Sequence, residues 1–113
     1  MHVAEQSPRI CRDGTLRWYA GDTFVITFDF NLQNQDGEPV QIEATDEAEV
    51  SFKNYRNEVI AKFTSIGSSS VEVNMDSEIT KRFKEGIYVI DARFNGDFIT
   101  TLMRNNKAVV EWY

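Results

Sequence analysis

The sequence predicts an all-β domain, an antiparallel Ig-like β-sandwich of about eight to nine short strands with one short helix. Three observations carry this expectation. Apolar residues alternate with polar ones in run after run, which is the period of a strand with one buried and one wet face. Clusters of turn-forming residues separate those runs at roughly 8–12-residue spacing, as in sandwiches and small barrels. Asn95-Gly96, between two such runs, is the strongest short hairpin signal, because both residues tolerate the positive φ of a type I′ turn.

Along the chain, Leu16 to Ala20 reads as a brief strand broken by Gly21-Asp22. The clearest strand follows, with Phe24, Ile26, Phe28, Phe30 and Leu32 on one face and Thr23, Thr27, Asp29 and Asn31 on the other. Asn34-Gln35-Asp36-Gly37 ends it as a turn, and Pro39 then opens a shorter strand through Val40 and Ile42. Val50 and Phe52 point one way while Glu49, Ser51 and Lys53 point the other. Asn54 to Asn57 turns the chain, and Val59, Ala61 and Phe63 return. Gly67-Ser68-Ser69 breaks the run before Val71, Val73 and Met75 alternate with Glu72 and Asn74. From Asp76 to Gly86 the pattern changes. An N-cap Asp or Ser, an early acid, Ile79 and Phe83 four apart, late bases and a closing glycine predict one or two turns of helix. Tyr88, Ile90, Ala92 and Phe94 then alternate with Val89, Asp91 and Arg93. Phe98 to Met103 pairs back, Asn105-Asn106 is a further candidate turn, and Ala108, Val110 and Trp112 close the chain.

Length bounds the organisation. A chain of 113 residues is near the commonest size for one domain and can bury a core without staples. Residues 1–13 read as a flexible N-terminal segment and 14–113 as a single β-sandwich domain. Composition is that of a globular protein, 42% hydrophobic and 27% charged. No apolar run approaches the roughly 18 residues of a transmembrane helix, and Met1 to Ile10 lack the apolar stretch of a signal peptide. The expected location is therefore the cytoplasm, or outside the cell by way of a carrier. The net charge of −6 argues against binding nucleic acid or an anionic membrane, both of which call for clustered Lys and Arg. Lys81, Arg82 and Lys84 are the one local cluster, and they read as the solvated face of the short helix.

No catalytic constellation assembles from these residues. Cys11 is the sole cysteine and reads as an inert thiol; it rules out an internal disulfide and a cysteine-based zinc site. His2 is the sole histidine and lies near the terminus, poorly placed for a nucleophile–histidine pair. The turn at residues 34–37 can be aligned with a calcium loop, but Leu32 would then occupy the first ligand position and cannot ligate. Asp29 and Asp91 are the strand carboxylates best placed for acid–base chemistry, and both fall on polar faces. No cofactor and no metal is expected. The best binding signal is aromatic. Trp18-Tyr19 and Trp112-Tyr113 are adjacent pairs on strands, so one ring of each faces in and the other out. They are either one core ring plus one exposed ring, or a patch for protein contact or sugar stacking.

The run Arg17-Trp18-Tyr19-Ala20-Gly21-Asp22-Thr23-Phe24, the long alternating strand after it, Asp36-Gly37-Glu38-Pro39-Val40, Val50-Ser51-Phe52-Lys53 and Gly86-Ile87-Tyr88 carry a resemblance. Over about residues 17–112 the chain resembles the short β-sandwich domains of phage and prophage tail or baseplate proteins, in particular the N-terminal domain of upper baseplate proteins. Gly-Asp before a strand and Gly-x-Tyr before another also occur in other Ig-like modules, including carbohydrate-binding ones. The sequence ends at Tyr113, without the fibre or receptor-binding extension of larger baseplate proteins. The resemblance implies a non-enzymatic assembly module that docks on protein partners, as a homo-oligomer or with other virion components. The alternative is an Ig-like carbohydrate-binding or generic interaction module, with a glycan as its ligand.

Overall fold

A computed structural model describes residues 8–99 and 106–112. Nine strands and one short helix are described: β1 Arg9–Ile10, β2 Leu16–Tyr19, β3 Phe24–Asp29, β4 Glu47–Lys53, β5 Val59–Ile66, β6 Ser70–Met75, α1 Ser77–Thr80, β7 Gly86–Phe94, β8 Asp97–Phe98 and β9 Lys107–Glu111. The large sheet runs β1-β2-β9-β7-β4-β5, with β8 paired to the far half of β7. A second sheet consists of β3 and β6. Alternation explains why the two sheets close on each other. Phe28, Val71, Val73 and Met75 turn inward from the small sheet and Trp18, Val50, Phe52, Ile90 and Val110 from the large one, forming one buried cluster.

Most ladders are antiparallel, as the alternation predicts, but β2 runs parallel to β9, with Trp18 opposite Val110. A parallel pair needs a long connection, and nearly the whole chain lies between these two strands. The stretch expected to be loose contains β1, which pairs Arg9 with Arg17, and a turn in which the Gly14 N–H donates to the Cys11 carbonyl. His2 lies outside the described residues, as does the predicted strand beyond Ile99 to Met103.

Two asparagine turns share one mechanism. Asn34 Oδ1 accepts from the N–H groups of Asp36 and Glu38, and Asn54 Oδ1 accepts from those of Arg56 and Glu58. Each turn finishes on a left-handed residue, Gly37 at φ 79° and Asn57 at φ 63°. Asn95 and Gly96 take positive φ as predicted, at 50° and 85°, and Phe94 pairs with Asp97 across them.

Two sequence expectations are corrected. Residues 39–42 form no strand; only an isolated bridge joins Gln33 to Pro39. A Pro removes a ladder donor, and the segment meets no neighbouring strand to pair with. The helix is a single turn, within the one or two turns expected, but it ends at Thr80 and is not closed by Gly86. Asp76 does cap it, accepting from the N–H groups of Glu78 and Ile79. The chain then leaves the helix to drive Phe83 into the core, and Gly86 opens β7 instead of closing the helix. Tyr88 secures this corner: its hydroxyl donates to the Lys84 carbonyl and accepts from the Lys84 N–H, both at 2.8 Å.

Phe52 is fully buried and stands edge-on to Trp18, Phe63 and Phe83. Phe52→Ala is expected to cost about 3–5 kcal/mol in denaturant titration, whereas Val25→Ala, on the exposed side of β3, should change stability by under about 0.5 kcal/mol. Tyr88→Phe removes two hydrogen bonds at the corner and should cost about 1–2 kcal/mol by the same measurement.

Candidate functional site

The large sheet turns one face into the core and the other to solvent, and the strand registers assign its outward side chains. Ser51 lies between Lys62 and Asp91. Lys53 lies between Val59 and Val89, which pairs in turn with Lys107. Ile87 lies opposite Val109, Val109 opposite Arg17, and Arg17 opposite Arg9. An antiparallel sheet with one wet face should be polar there. This one exposes Ile87 at 60%, Val89 at 50% and Val59 at 52% in neighbouring rows. Ile87 and Val89 are direct neighbours on β7 and Val59 stands across Lys53 from Val89; exposed apolar side chains grouped on one face are a mark of contact surfaces.

Charges frame the apolar rows. Arg9 and Arg17 both reach the Glu111 carboxylate, and the Arg9 guanidinium also lies over the Tyr19 ring, 5.2 Å from its centroid. Burial pushes the Glu111 carboxyl up, but the two arginines outweigh that and hold it below the usual carboxylate value. In the adjoining rows Lys53 Nζ stands 2.7 Å and Arg93 Nε 3.0 Å from the Asp91 carboxylate. Burial pushes Asp91 up too, and again the hydrogen bonds and charges of Lys53 and Arg93 prevail and hold it down. Lys62 completes the set with Glu49 at 3.2 Å. The outward side chains of this sheet include six of the chain's twelve Lys and Arg (Arg9, Arg17, Lys53, Lys62, Arg93 and Lys107) but only four of its eighteen Asp and Glu (Glu47, Glu49, Asp91 and Glu111). The face is net cationic on a chain of net charge −6.

The residues singled out from sequence scatter. Trp18 is fully buried and belongs to the core, not to a contact surface. Its ring meets Phe24, Phe52 and Phe83 edge-on at 5.4–5.9 Å, and its indole N–H has no hydrogen-bond partner among the described residues. Tyr19 is half-buried beneath Arg9 on the outer face. Trp112 is 68% exposed just beyond β9, and Tyr113 lies outside the described residues. Asp29 and Asp91 lie on the outer faces of opposite sheets, so the core separates them and they cannot act as a carboxylate pair. Asp91 was expected to be solvated and is instead buried, as is Ser51 beside it. Alternation tells which face a residue takes, but not how far its lateral neighbours cover it. Ile87 and Val89 share the outer face of β7 by simple alternation, whereas Val59, read on the face of Ala61 and Phe63, is turned outward by a register shift between Phe52 and Lys53 that sets it opposite Lys53.

Grooves open elsewhere on the surface as well. An apolar one of about 480 Å³ lies where Pro8, Ile10 and Leu16 meet Ile26 and Phe28. A polar one of about 470 Å³ is lined by Asn54, Arg56, Glu58, Arg82 and Lys84, with Tyr55, 84% exposed, at its rim. Among the described residues no three His, Cys, Asp or Glu side chains converge as a metal set, and no helix is long and apolar enough to cross a membrane.

The Asp91 cluster gives a pH signature. A carboxyl whose folded pKa is depressed contributes stability that is present above its unfolded pKa and lost as pH falls through the folded value. Asp91→Asn should therefore cost about 1.5–3 kcal/mol at neutral pH, because Lys53 and Arg93 lose a charged acceptor. Unfolding titrations should show the gap to the wild type narrowing as pH falls below the ordinary carboxyl value of 3.8.

No family model, curated protein or solved structure matches the chain.

Proposed function

We propose that this protein is a non-enzymatic assembly module with an Ig-like β-sandwich fold, acting through protein contact on the outer face of its large sheet. The strand order supports the Ig-like part. With β3 and β6 as strands B and E, the large sheet takes the places of C (β4), C′ (β5), F (β7) and G (β9) of a variable-type domain. Tyr88, near the start of β7, returns its hydroxyl to the backbone at Lys84 in the manner of a tyrosine corner. The resemblance to phage and prophage tail or baseplate domains supports a role beside other virion components, in a virion or in the host cytoplasm. The single observation that carries the reading is the apolar set Ile87, Val89 and Val59 exposed at one end of a charged sheet face.

A carbohydrate-binding module is the second reading, favoured by one feature. Tyr55, 84% exposed beside the polar groove, offers a ring for sugar stacking with Asn54, Arg56 and Glu58 as hydrogen-bonding groups.

Placing a carboxylate at Ile87 and Val89 separates the two. Tagged wild-type protein from its native source should co-sediment with a larger protein particle, and the Ile87→Asp/Val89→Asp variant should lose at least about tenfold of that association, since hot-spot substitutions cost about 2 kcal/mol or more. Unchanged co-sedimentation would sink the contact-face assignment. Glycan-array binding abolished by Tyr55→Ala, with no particle association, would establish the second reading instead.

A further inference from the structure

The cationic face has an acidic counterpart on the same molecule. Between Arg17 and Lys53 the chain contains no lysine or arginine. The middle of that stretch is the connection from β3 to β4, residues 30–46, which carries Asp36, Glu38, Glu43 and Asp46. Connections longer than about 12–15 residues without secondary structure of their own are uncommon in compact domains, and those that occur tend to be functional. This one is exposed throughout residues 33–41.

The loop also has a defined shape. Phe30 roots one end in the core. Asn34 ties the reversal at its tip, and the Val40 N–H donates to the Leu32 carbonyl. At the other end Asp46 Oδ1 accepts from Asn95 Nδ2, and the Gly67 N–H donates to the Asp46 carbonyl. Glycine suits position 67, where φ is 74° and a Cβ would stand tight, 3.3 Å from the Ala44 carbonyl oxygen. A loop held in this way loses little conformational freedom when it binds. Its exposed stretch is acidic with an apolar centre, Pro39 and Val40, the latter 38% exposed. The outer face of the large sheet has the opposite pattern, apolar Ile87 and Val89 within an excess of cations.

We propose that the acidic 30–46 loop of one copy docks on the cationic, apolar outer face of the large sheet of a second copy. This names the partner for the contact face assigned above and rests on that assignment. The two surfaces differ, so the contact is heterologous. Each copy still has one free loop and one free face, and association continues into a ring or an open chain. A nine-residue exposed loop covers less than the roughly 800 Å² per partner of a stable interface, so single contacts are weak. Association therefore requires high protein concentration and falls with salt, because opposite charges drive it.

Sedimentation equilibrium over a concentration series at low and high salt tests this. The weight-average mass should rise with concentration at low salt and fall back towards the monomer at high salt. Lys62→Glu/Lys107→Glu reverses charge on the face, and Asp36→Lys/Glu38→Lys reverses it on the loop. All four side chains are exposed, and circular dichroism and thermal melting check that both variants fold. Each variant alone should lose at least about tenfold in association constant. An equimolar mixture should recover association, since the face of the loop variant accepts the loop of the face variant. A wild type that stays monomeric at every concentration overturns the proposal, and so does self-association that loop reversal leaves unchanged. If the monomeric protein still joins the native particle through Ile87 and Val89, the contact-face reading stands and its partner is a different protein.

Discussion

Trp18 is where the two sheets are joined. It sits on β2 and touches Phe24 of the small sheet, Phe52 of the large sheet and Phe83 from the corner after α1, each edge-to-face. Rings arranged so that the positive edge of one meets the negative face of another gain beyond simple burial. The residue reaches that position because β2 pairs in parallel with β9, placing Trp18 beside Val110. The pairing unites segments near opposite ends of the chain, and the core around Trp18 depends on it. The outer face depends on it as well, since Arg17 comes to Glu111 through the same ladder.

The outer face shows what a central position in a sheet does to polar residues. Ser51 and Asp91 point away from the core yet are buried, because β4 and β7 each have strands on both sides and long side chains close over them. A buried carboxylate is costly unless its charge is met. Lys53 and Arg93 meet it, and they hold the Asp91 carboxyl below its usual value despite the burial. Ile87, Val89 and Val59 therefore sit within a surface that is neither an ordinary wet face nor a second core.

The proposed role rests on the recognition features of this face. Asp91, Glu111 and Glu49 are each paired with cations, and the one other strand carboxylate considered for catalysis, Asp29, lies across the sandwich. In the proposed contact the charge of this face, opposite in sign to that of the whole chain, would select partners by electrostatics, and the apolar side chains would supply the desolvation on which affinity depends. The anchored acidic loop between β3 and β4 presents the matching chemistry at another site, and a rigid loop can do so without a large ordering cost.

Much of the fold was legible in the sequence because its determinants are local. Period-2 alternation located β3, β4, β6 and β7, and the positive φ of Asn95-Gly96 and Gly37 followed from residue chemistry within a few positions. Asp76 as a helix cap was equally local, while the point where the helix ends was not: Phe83 is drawn into the core and the chain leaves the helix at Thr80 to place it. Residues 39–42 look strand-like on their own, but a strand exists only where a neighbour offers its ladder. The same limit hid the candidate site. That Trp18 is core while Ile87, Val89 and Val59 are surface depends on which strands lie side by side and how they register. Pattern along a single strand determines which face a residue takes; only the tertiary pairing of distant strands decides what covers that face and which charges gather on it.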